Sequence, residues 1–170
     1  MRVFFAINLP KNIKEKISLF VKSSKISGEL VPKDNYHITL KFIGEAGDDE
    51  IKALINGAEK IKLKEFDCSI EKLGLFGNCK HPSIVFAALS KGLSELGKLS
   101  ELIHKSSKNY EMSFDFQPHI TLARNPEMLG IEKYDFCPEN FRVKSFCLMK
   151  SLASGSNVKY KVVKSFELLK

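Results

Sequence analysis

The sequence has no apolar run that approaches the length of about 20 residues needed to cross a bilayer. The apolar stretch from Val3 to Ile7 is also too short for the core of a signal peptide. Hydrophobic residues make up 44% of the 170 residues and charged residues 28%, which excludes the disordered and low-complexity classes. We therefore expect a folded, cytoplasmic protein without a membrane segment.

Cysteine is also scarce. The four cysteines never form a CxxC pair, so the sequence supports neither a structural zinc site nor a redox motif. A disulfide framework is not expected in a chain that is long enough to bury a core of its own. We expect reduced, mostly buried thiols and no cofactor; the residues concerned are Cys68, Cys79, Cys137 and Cys147.

Basic residues exceed acidic ones, 27 against 20, which gives a net charge of +7. The excess is largest near the C-terminus, where the segment from Arg142 to Lys170 carries seven Lys and Arg against Glu167 alone. A basic surface favours polyanionic partners such as nucleic acid. Many Lys-rich proteins bind no nucleic acid, so the charge alone does not decide the function.

Apolar periodicity predicts alternating strands and helices. The region from Gly74 to Pro82 is expected to be a loop, Asn125-Pro126 is expected to start a short helix, and residues 154–157 form a turn. The predicted strands are 2–9, 35–43, 66–70, 83–89, 118–124, 141–150 and 158–168, and the predicted helices are 11–24, 49–62 and 90–108.

The two halves of the chain resemble each other. VFFAINL (3–9) aligns with IVFAALS (84–90), and HITL (37–40) is repeated as HITL (119–122), at offsets of 81 and 82 residues. Both pairs occur in the order strand, helix, strand, which favours an internal duplication. We predict one α+β domain over residues 1–170. Its two pseudo-twofold-related lobes, about 1–80 and 81–170, each have an antiparallel-rich sheet facing a central cleft and helices outside.

The period of two in a strand puts His37, Thr39 and Lys41 on one face and Ile38, Leu40 and Phe42 on the core face. The second copy likewise puts His119 and Thr121 on one face. A pseudo-twofold axis would bring both His-Thr pairs to one cleft.

Two histidines and two threonines in one cleft suit phosphodiester cleavage. Histidine titrates near neutral pH, so one ring can act as general base toward water while the other protonates the leaving oxygen. Threonine hydroxyls can donate hydrogen bonds to phosphate oxygens. Two histidines without an acidic partner in either motif are a poor metal-ligand set, so we expect no metal. The other histidines, His81 and His104, lie outside the pattern, and we expect ordinary surface roles for them.

HITLKFIGE (37–45) and QPHITLAR (117–124) resemble the paired signatures of the two-histidine (2H) phosphoesterases. The similarity is greatest to the RNA 2',3'-cyclic phosphodiesterases, also called the prokaryotic 2'-5' RNA ligase family, and it extends over nearly the whole chain. The segments 1–10, 74–89 and 151–168 resemble that family's opening strand, mid-chain segment and closing strand pair.

This resemblance implies metal-free hydrolysis of an RNA or nucleoside 2',3'-cyclic phosphate to a 2'-phosphate. His37 and His119 would be catalytic, and Thr39 and Thr121 would hold the phosphate. The family favours the second histidine as base and the first as acid, an assignment that the near-symmetric site leaves open. Some members also join or cleave 2'-5' linkages, with a hydroxyl group replacing water.

Neighbouring residues give further candidates. Arg124 matches the family's arginine and would bind phosphate. Strict alternation turns Arg124 toward the core, so it must lie past the end of its strand to reach the cleft. The alternative is a surface salt bridge. Lys41 would meet RNA phosphates or remain solvated. Phe42 and Phe76 would stack on a base or pack in the core.

Two other functions remain open at this stage. The chain could be a non-catalytic RNA-binding module, or a phosphodiesterase for a small cyclic nucleotide. The expected partners are RNA ends or nucleotides that carry a 2',3'-cyclic phosphate. We expect a monomer, with the basic segment from Arg142 to Lys170 flanking the cleft and holding the RNA backbone.

Overall fold

The computed structural model describes residues 1–78, 81–107, 116–126, 139–154 and 157–170. Within these ranges the chain forms nine strands, three α-helices and one short 3-10 turn. In chain order they are β1 (Arg2–Asn8), α1 (Lys11–Ser23), β2 (Glu29–Leu30), the 3-10 turn (Lys33–Asn35), β3 (His37–Glu45), α2 (Asp48–Ala58), β4 (Phe66–Asn78), β5 (His81–Lys91), α3 (Leu93–Ser106), β6 (His119–Arg124), β7 (Glu139–Val143), β8 (Ser145–Ser154) and β9 (Asn157–Glu167).

The strands form two sheets whose paired strands are all antiparallel. The first sheet has the order β3-β1-β8-β9, and the second has the order β2-β6-β5-β4-β7. The prediction of an α+β fold with two antiparallel sheets is confirmed.

The sequence repeat corresponds to a structural repeat. β1, α1 and β3 form one strand-helix-strand unit, and β5, α3 and β6 form the other. In each unit the two strands are antiparallel neighbours, so the two HITL segments occupy equivalent places, one in each sheet. The sheets do not follow a division at residue 80, however, because β4 joins the second sheet while β8 and β9 complete the first.

Regular apolar spacing explains how the helices pack. Ile13, Ile17 and Val21 recur every four residues in α1, so they share one face, and all three are buried. They belong to one core cluster that also contains Phe5 of β1 and Ile120 of β6. One continuous core therefore supports both units.

Two predictions about strand boundaries are wrong. The predicted loop from Gly74 to Pro82 belongs largely to strands, because β4 continues to Asn78 and β5 begins at His81. The predicted strand 141–150 is two strands: β7 pairs with β4 in the second sheet, and after Lys144 the chain enters β8 of the first sheet. The segment after Pro126, where a short helix was predicted, lies outside the described residues.

Cys68 and Cys147 are buried free thiols, as predicted. Burial raises the pKa of the Cys68 thiol to about 12 and that of the Cys147 thiol to about 11, so both are protonated at neutral pH. The other two cysteines, Cys79 and Cys137, lie outside the described residues. No helix in the described part of the chain combines the length and apolar character needed to span a membrane.

Candidate active site

His37 begins β3 and is held through both ring nitrogens. Its Nδ1 lies 2.6 Å from the carbonyl oxygen of Asn35, and its Nε2 lies 3.0 Å from Oγ1 of Thr39. A carbonyl oxygen can only accept, so Nδ1 carries the hydrogen. In the neutral ring, Nε2 then accepts the hydroxyl hydrogen of Thr39. This arrangement leaves Nε2 as the ring nitrogen available to exchange a proton.

His119 begins β6 and has the same backbone anchor at Nδ1. Its Nδ1 lies 2.7 Å from the carbonyl oxygen of Gln117, which precedes it by two residues as Asn35 precedes His37. Nδ1 therefore donates to the backbone here too, and Nε2 becomes the atom for proton transfer. The two histidines share one tautomer because the same local backbone geometry orients both.

A β-bulge follows each histidine and changes which side chains lie beside it. In the pairing of β1 with β3, Ala6 is opposite Thr39 but Phe5 is opposite Lys41, so Leu40 is an extra residue. The hydroxyl of Ser100 donates a 2.8 Å hydrogen bond to the Leu40 carbonyl. Beyond the bulge, the alternation of faces is reversed.

The second motif has its bulge at the equivalent residue. Thr121 is opposite Phe86 and Ala123 is opposite Val85, so Leu122 is the extra residue. Directly opposed residues of an antiparallel pair point to the same side of the sheet. We call the side of each sheet that carries its HxT histidine the histidine face.

The bulge at Leu122 puts Arg124 on the histidine face within β6. This differs from the prediction that Arg124 must lie past the strand end, because strict alternation did not allow for an extra residue. Arg124 is exposed, and it forms no ion pair with another described residue.

The predicted place of Lys41 is wrong for the same reason. The bulge turns Lys41 to the core side, where only 5% of the residue is exposed and its Nζ lies 2.8 Å from Nδ1 of His104. Lys41 therefore does not face the phosphate site. His104, expected to have only a surface role, is half-buried and binds this lysine. The side chain of His81 lies outside the described residues.

Phe42 takes the position that was predicted for Lys41. It was predicted to be on the core face, but the bulge brings it opposite Phe4 on the histidine face, where 67% of Phe42 is exposed. Its ring centroid lies 6.0 Å from that of Phe4. The prediction that Phe42 packs in the core is therefore wrong.

Aromatic rings enclose both histidines. The His37 ring lies 5.1 Å from Phe4 and 5.1 Å from Tyr160, the latter edge to face. The His119 ring lies 4.8 Å from Phe76 and 5.4 Å from Phe86. Sequence reasoning included Phe76 only as a base-stacking or core residue and missed the other three.

Burial lowers the pKa of His37 to about 4, because its ring loses hydration. The positive charges of Lys14 and Arg124 and the charge of His119 lower the pKa further, while the hydrogen bond to the Asn35 carbonyl raises it. Neutral His37 is therefore the stable form in the free protein. β3 and β6 contact each other directly, so the second motif lies near the first.

The pKa of His119 is also lowered, mainly by burial and further by the charge of Arg124. Its hydrogen bond to the Gln117 carbonyl opposes this shift. The charge of Arg124 thus lowers the pKa of both histidines, and its exposed guanidinium can bind an anion.

Two residues of the basic C-terminal segment form ion pairs. Arg142 forms ion pairs with Glu65 at 2.9 Å and Asp67 at 3.2 Å, and Lys164 pairs with Glu59 at 3.3 Å. These two members of the basic C-terminal segment therefore contact acidic side chains, not the histidines.

Sequence reasoning also missed Lys72. It lies opposite Ala88, which is itself opposite His119, so this exposed lysine is on the histidine face of the second sheet.

Among the described residues, no three His, Cys, Asp or Glu side chains form a group that could hold a metal ion.

Comparison with known proteins agrees with this architecture. The family model of LigT like phosphoesterases matches residues 7–86. A Methanocaldococcus jannaschii protein named RNA 2',3'-cyclic phosphodiesterase is 33% identical over 98% of this chain and 100% of its own length. An Archaeoglobus fulgidus protein of the same name is 30% identical, with the same two coverages.

A solved structure is also similar over nearly the whole chain. The crystal structure of Escherichia coli LigT complexed with 3'-AMP has a TM-score of 0.84 and 25% identity, over 99% of this chain and 98% of that one. The chain belongs to the LigT-like phosphoesterase family of the two-histidine superfamily.

Proposed function

We propose that this phosphoesterase hydrolyses the 2',3'-cyclic phosphate at the end of an RNA or on a nucleotide, leaving a 2'-phosphate, without a metal. One observation carries the proposal: two histidines on equivalent bulged strands each donate Nδ1–H to a backbone carbonyl, which leaves both Nε2 atoms for proton transfer. The relatives' names support the choice of substrate.

In the proposed reaction a water oxygen attacks phosphorus and the bond from phosphorus to the 3' oxygen breaks. One histidine takes the proton of the water at Nε2, and the other gives a proton to the departing 3' oxygen. Thr39, Thr121 and Arg124 bind the phosphate oxygens and stabilise the charge that develops there. The product carries a 2'-phosphate and a 3'-hydroxyl group.

The low pKa of His37 limits the conditions under which this residue can act as the general acid. Because burial favours neutral His37, an acid role for this residue requires the negatively charged phosphate to raise its pKa on binding. A pH profile of kcat/KM reports the pKa values of the free enzyme, and one of kcat reports those of the complex. Their difference measures how far the substrate raises them.

The test uses an oligonucleotide with a 2',3'-cyclic phosphate end, in EDTA, with the product compared with 2'- and 3'-phosphate standards. We expect His37→Gln and His119→Gln each to lower kcat by about 10²- to 10⁴-fold, because each removes one proton-transfer group. His104 lies in α3 and contacts Lys41 on the core side of β3. His104→Gln is therefore the matched control, and this variant should keep its activity.

Three results would contradict the proposal. They are complete loss of activity in EDTA, a 3'-phosphate product, and undiminished turnover by either variant of the paired histidines. Tight RNA binding without any product would instead identify a non-catalytic RNA-binding module.

We also propose that the same site can form a 2'-5' linkage. A 5'-hydroxyl oxygen would replace water as the attacking group, again breaking the bond to the 3' oxygen, so the same two proton transfers serve. Adding an RNA with a 5'-hydroxyl end should then yield a joined product that resists nucleases specific for 3'-5' linkages. Hydrolysis without any joined product at high RNA concentration would restrict the site to hydrolysis.

A further inference from the structure

Lys14 is a buried lysine that the proposed reaction does not use. It lies in α1, and only 9% of the residue is exposed. Lysine is rarely buried to this extent unless its amino group has a partner. Here Nζ donates a 2.6 Å hydrogen bond to the carbonyl oxygen of Asp34, in the 3-10 turn that precedes β3. A buried amino group therefore contacts the backbone just before the first HxT motif.

The same turn holds His37. The next carbonyl along the chain, that of Asn35, accepts the Nδ1–H of His37 at 2.6 Å. Consecutive carbonyls thus bind Lys14 and His37, so the lysine fixes the short piece of backbone that orients the ring. The lysine also acts through its charge, because burial lowers the pKa of His37 and the charge of Lys14 lowers it further.

The second repeat has no charge at the corresponding place. The buried faces of the two helices match at 82 residues, the offset of the two HITL segments: Lys14, Ile17 and Val21 in α1, and Leu96, Leu99 and Ile103 in α3. A fully buried leucine, Leu96, therefore takes the place of Lys14. Burial also lowers the pKa of His119, but the charge that adds to this effect is that of Arg124.

We propose that Lys14 is a positioning residue for His37: it holds the turn that anchors the ring, and its buried charge makes the two histidines of the site unequal. This inference rests on the proposed function, in which both rings transfer protons. A hydrogen-bonded turn and a fixed nearby charge act on His37 before any substrate binds. The electrostatic part of the inference can therefore be tested on the free protein.

Other titratable groups surround this pair. Burial lowers the pKa of Lys14, whereas Asp34 and Cys147 raise it. The groups that face His37 are His119, Arg124 and Tyr160, whose ring packs against it. All of them stay the same when only residue 14 is changed, so a shift in the titration of His37 reports the charge at that residue.

The first experiment follows each imidazole ring by NMR over a range of pH, without substrate, with the signals assigned from His37→Gln and His119→Gln. We expect Lys14→Met to raise the pKa of His37 and to leave that of His119 unchanged. Lys14→Arg keeps a charge and a donor, so it should titrate as wild type. Lys22→Met is the matched control, because it removes an exposed lysine from the same helix and should shift neither ring.

The second experiment measures turnover of a 2',3'-cyclic phosphate substrate. Lys14→Met should lower kcat by about 2- to 12-fold, as expected for the loss of one hydrogen bond, with little change in KM. The limb of the kcat/KM profile that reports His37 should move to higher pH. If the wild-type protein hydrolyses no cyclic phosphate, the proposed function fails, and the NMR titration still decides whether Lys14 distinguishes the two rings.

Three results overturn the inference: an unchanged His37 titration in Lys14→Met, equal shifts of His37 in Lys14→Met and Lys22→Met, or an undiminished kcat in Lys14→Met. If Lys14→Met does not fold, Lys14→Gln replaces it, because glutamine keeps an N–H donor but carries no charge. The same pKa for His37 in Lys14→Gln and Lys14→Arg would then refute the role of the charge.

Discussion

Asn35 connects two distant parts of the first sheet, and its removal should impair His37 without touching the substrate. Its side-chain Nδ2 donates a 2.6 Å hydrogen bond to the Val158 carbonyl, and its Oδ1 accepts a 3.1 Å bond from the Tyr160 N–H. Both partners lie in β9, the edge strand opposite β3. The amide thus pairs with an edge whose backbone groups would otherwise need water.

The size of the effect follows from these contacts. Asn35 is 6% exposed, so Asn35→Ala leaves two partly buried backbone groups without their partner, at about 1–3 kcal/mol each. A total of about 2–6 kcal/mol lowers Tm by roughly 4–24 °C in a chain of this size. Tyr160, whose ring packs against His37, is then less firmly held. Loss of an aromatic pair costs about 0.5–1.5 kcal/mol, which predicts a fall in kcat of about 2- to 12-fold.

Three measurements test this reasoning. Asn35→Ala should lose the hydrogen-exchange protection of the Tyr160 amide, lower Tm and lower kcat with little change in KM. Tyr160→Phe keeps the ring and should behave as wild type, and Asn12→Ala, an exposed asparagine of α1, controls for loss of an amide elsewhere. A Tyr160 amide that stays protected in Asn35→Ala, together with unchanged kcat, would refute the proposed connection.

Two further predictions concern packing and pH. A Cβ at Gly74 would clash with ring atoms of Phe86, which packs against His119, so Gly74→Ala should lower kcat, and normal kinetics would contradict this. Gly97 lies in α3 with open space around its Cβ position, so Gly97→Ala should raise stability by about 0.5–1 kcal/mol in thermal unfolding. The pKa of His37 is about 4 in the folded protein, against 6.5 for the ordinary side chain in the unfolded chain. The contribution of neutral His37 to the free energy of unfolding is therefore fully present above about pH 6.5 and is lost as the pH falls toward 4. The loss is at most about 3 kcal/mol. The free energy of unfolding, measured with urea, should depend less on pH in His37→Gln than in wild type. The same pH dependence in both proteins would contradict the assignment of this effect to His37.

Local sequence patterns predicted much of the fold and the central pair of the site. Alternation placed His37 with Thr39 and His119 with Thr121, and the structure has both pairs on the histidine faces. This succeeded because period-two patterning depends only on neighbouring residues. The repeated segment, read with its order of strand and helix, also indicated two equivalent units.

The errors all arise from contacts between distant segments. Whether Leu40 is an extra residue depends on how β3 pairs with β1, and Ser100 of α3 binds the bulge from 60 positions away. Nothing in the local pattern signals this, so the predictions for Lys41 and Phe42 were reversed. In the same way, the pairing of Gly74 with Phe86 keeps β4 extended where composition favoured a loop.

The two bulges give the duplicated unit a different side chain after each HxT motif. The proposed reaction takes a proton from water and gives one to the leaving oxygen, so it needs two proton-transfer groups, and His37 and His119 have the same tautomer and the same backbone anchor. A nucleotide, however, has a base at one end and phosphate at the other. Because each bulge turns the second residue beyond it onto the histidine face, the equivalent positions carry an uncharged ring at Phe42 and a positive charge at Arg124, while the histidine pair stays the same.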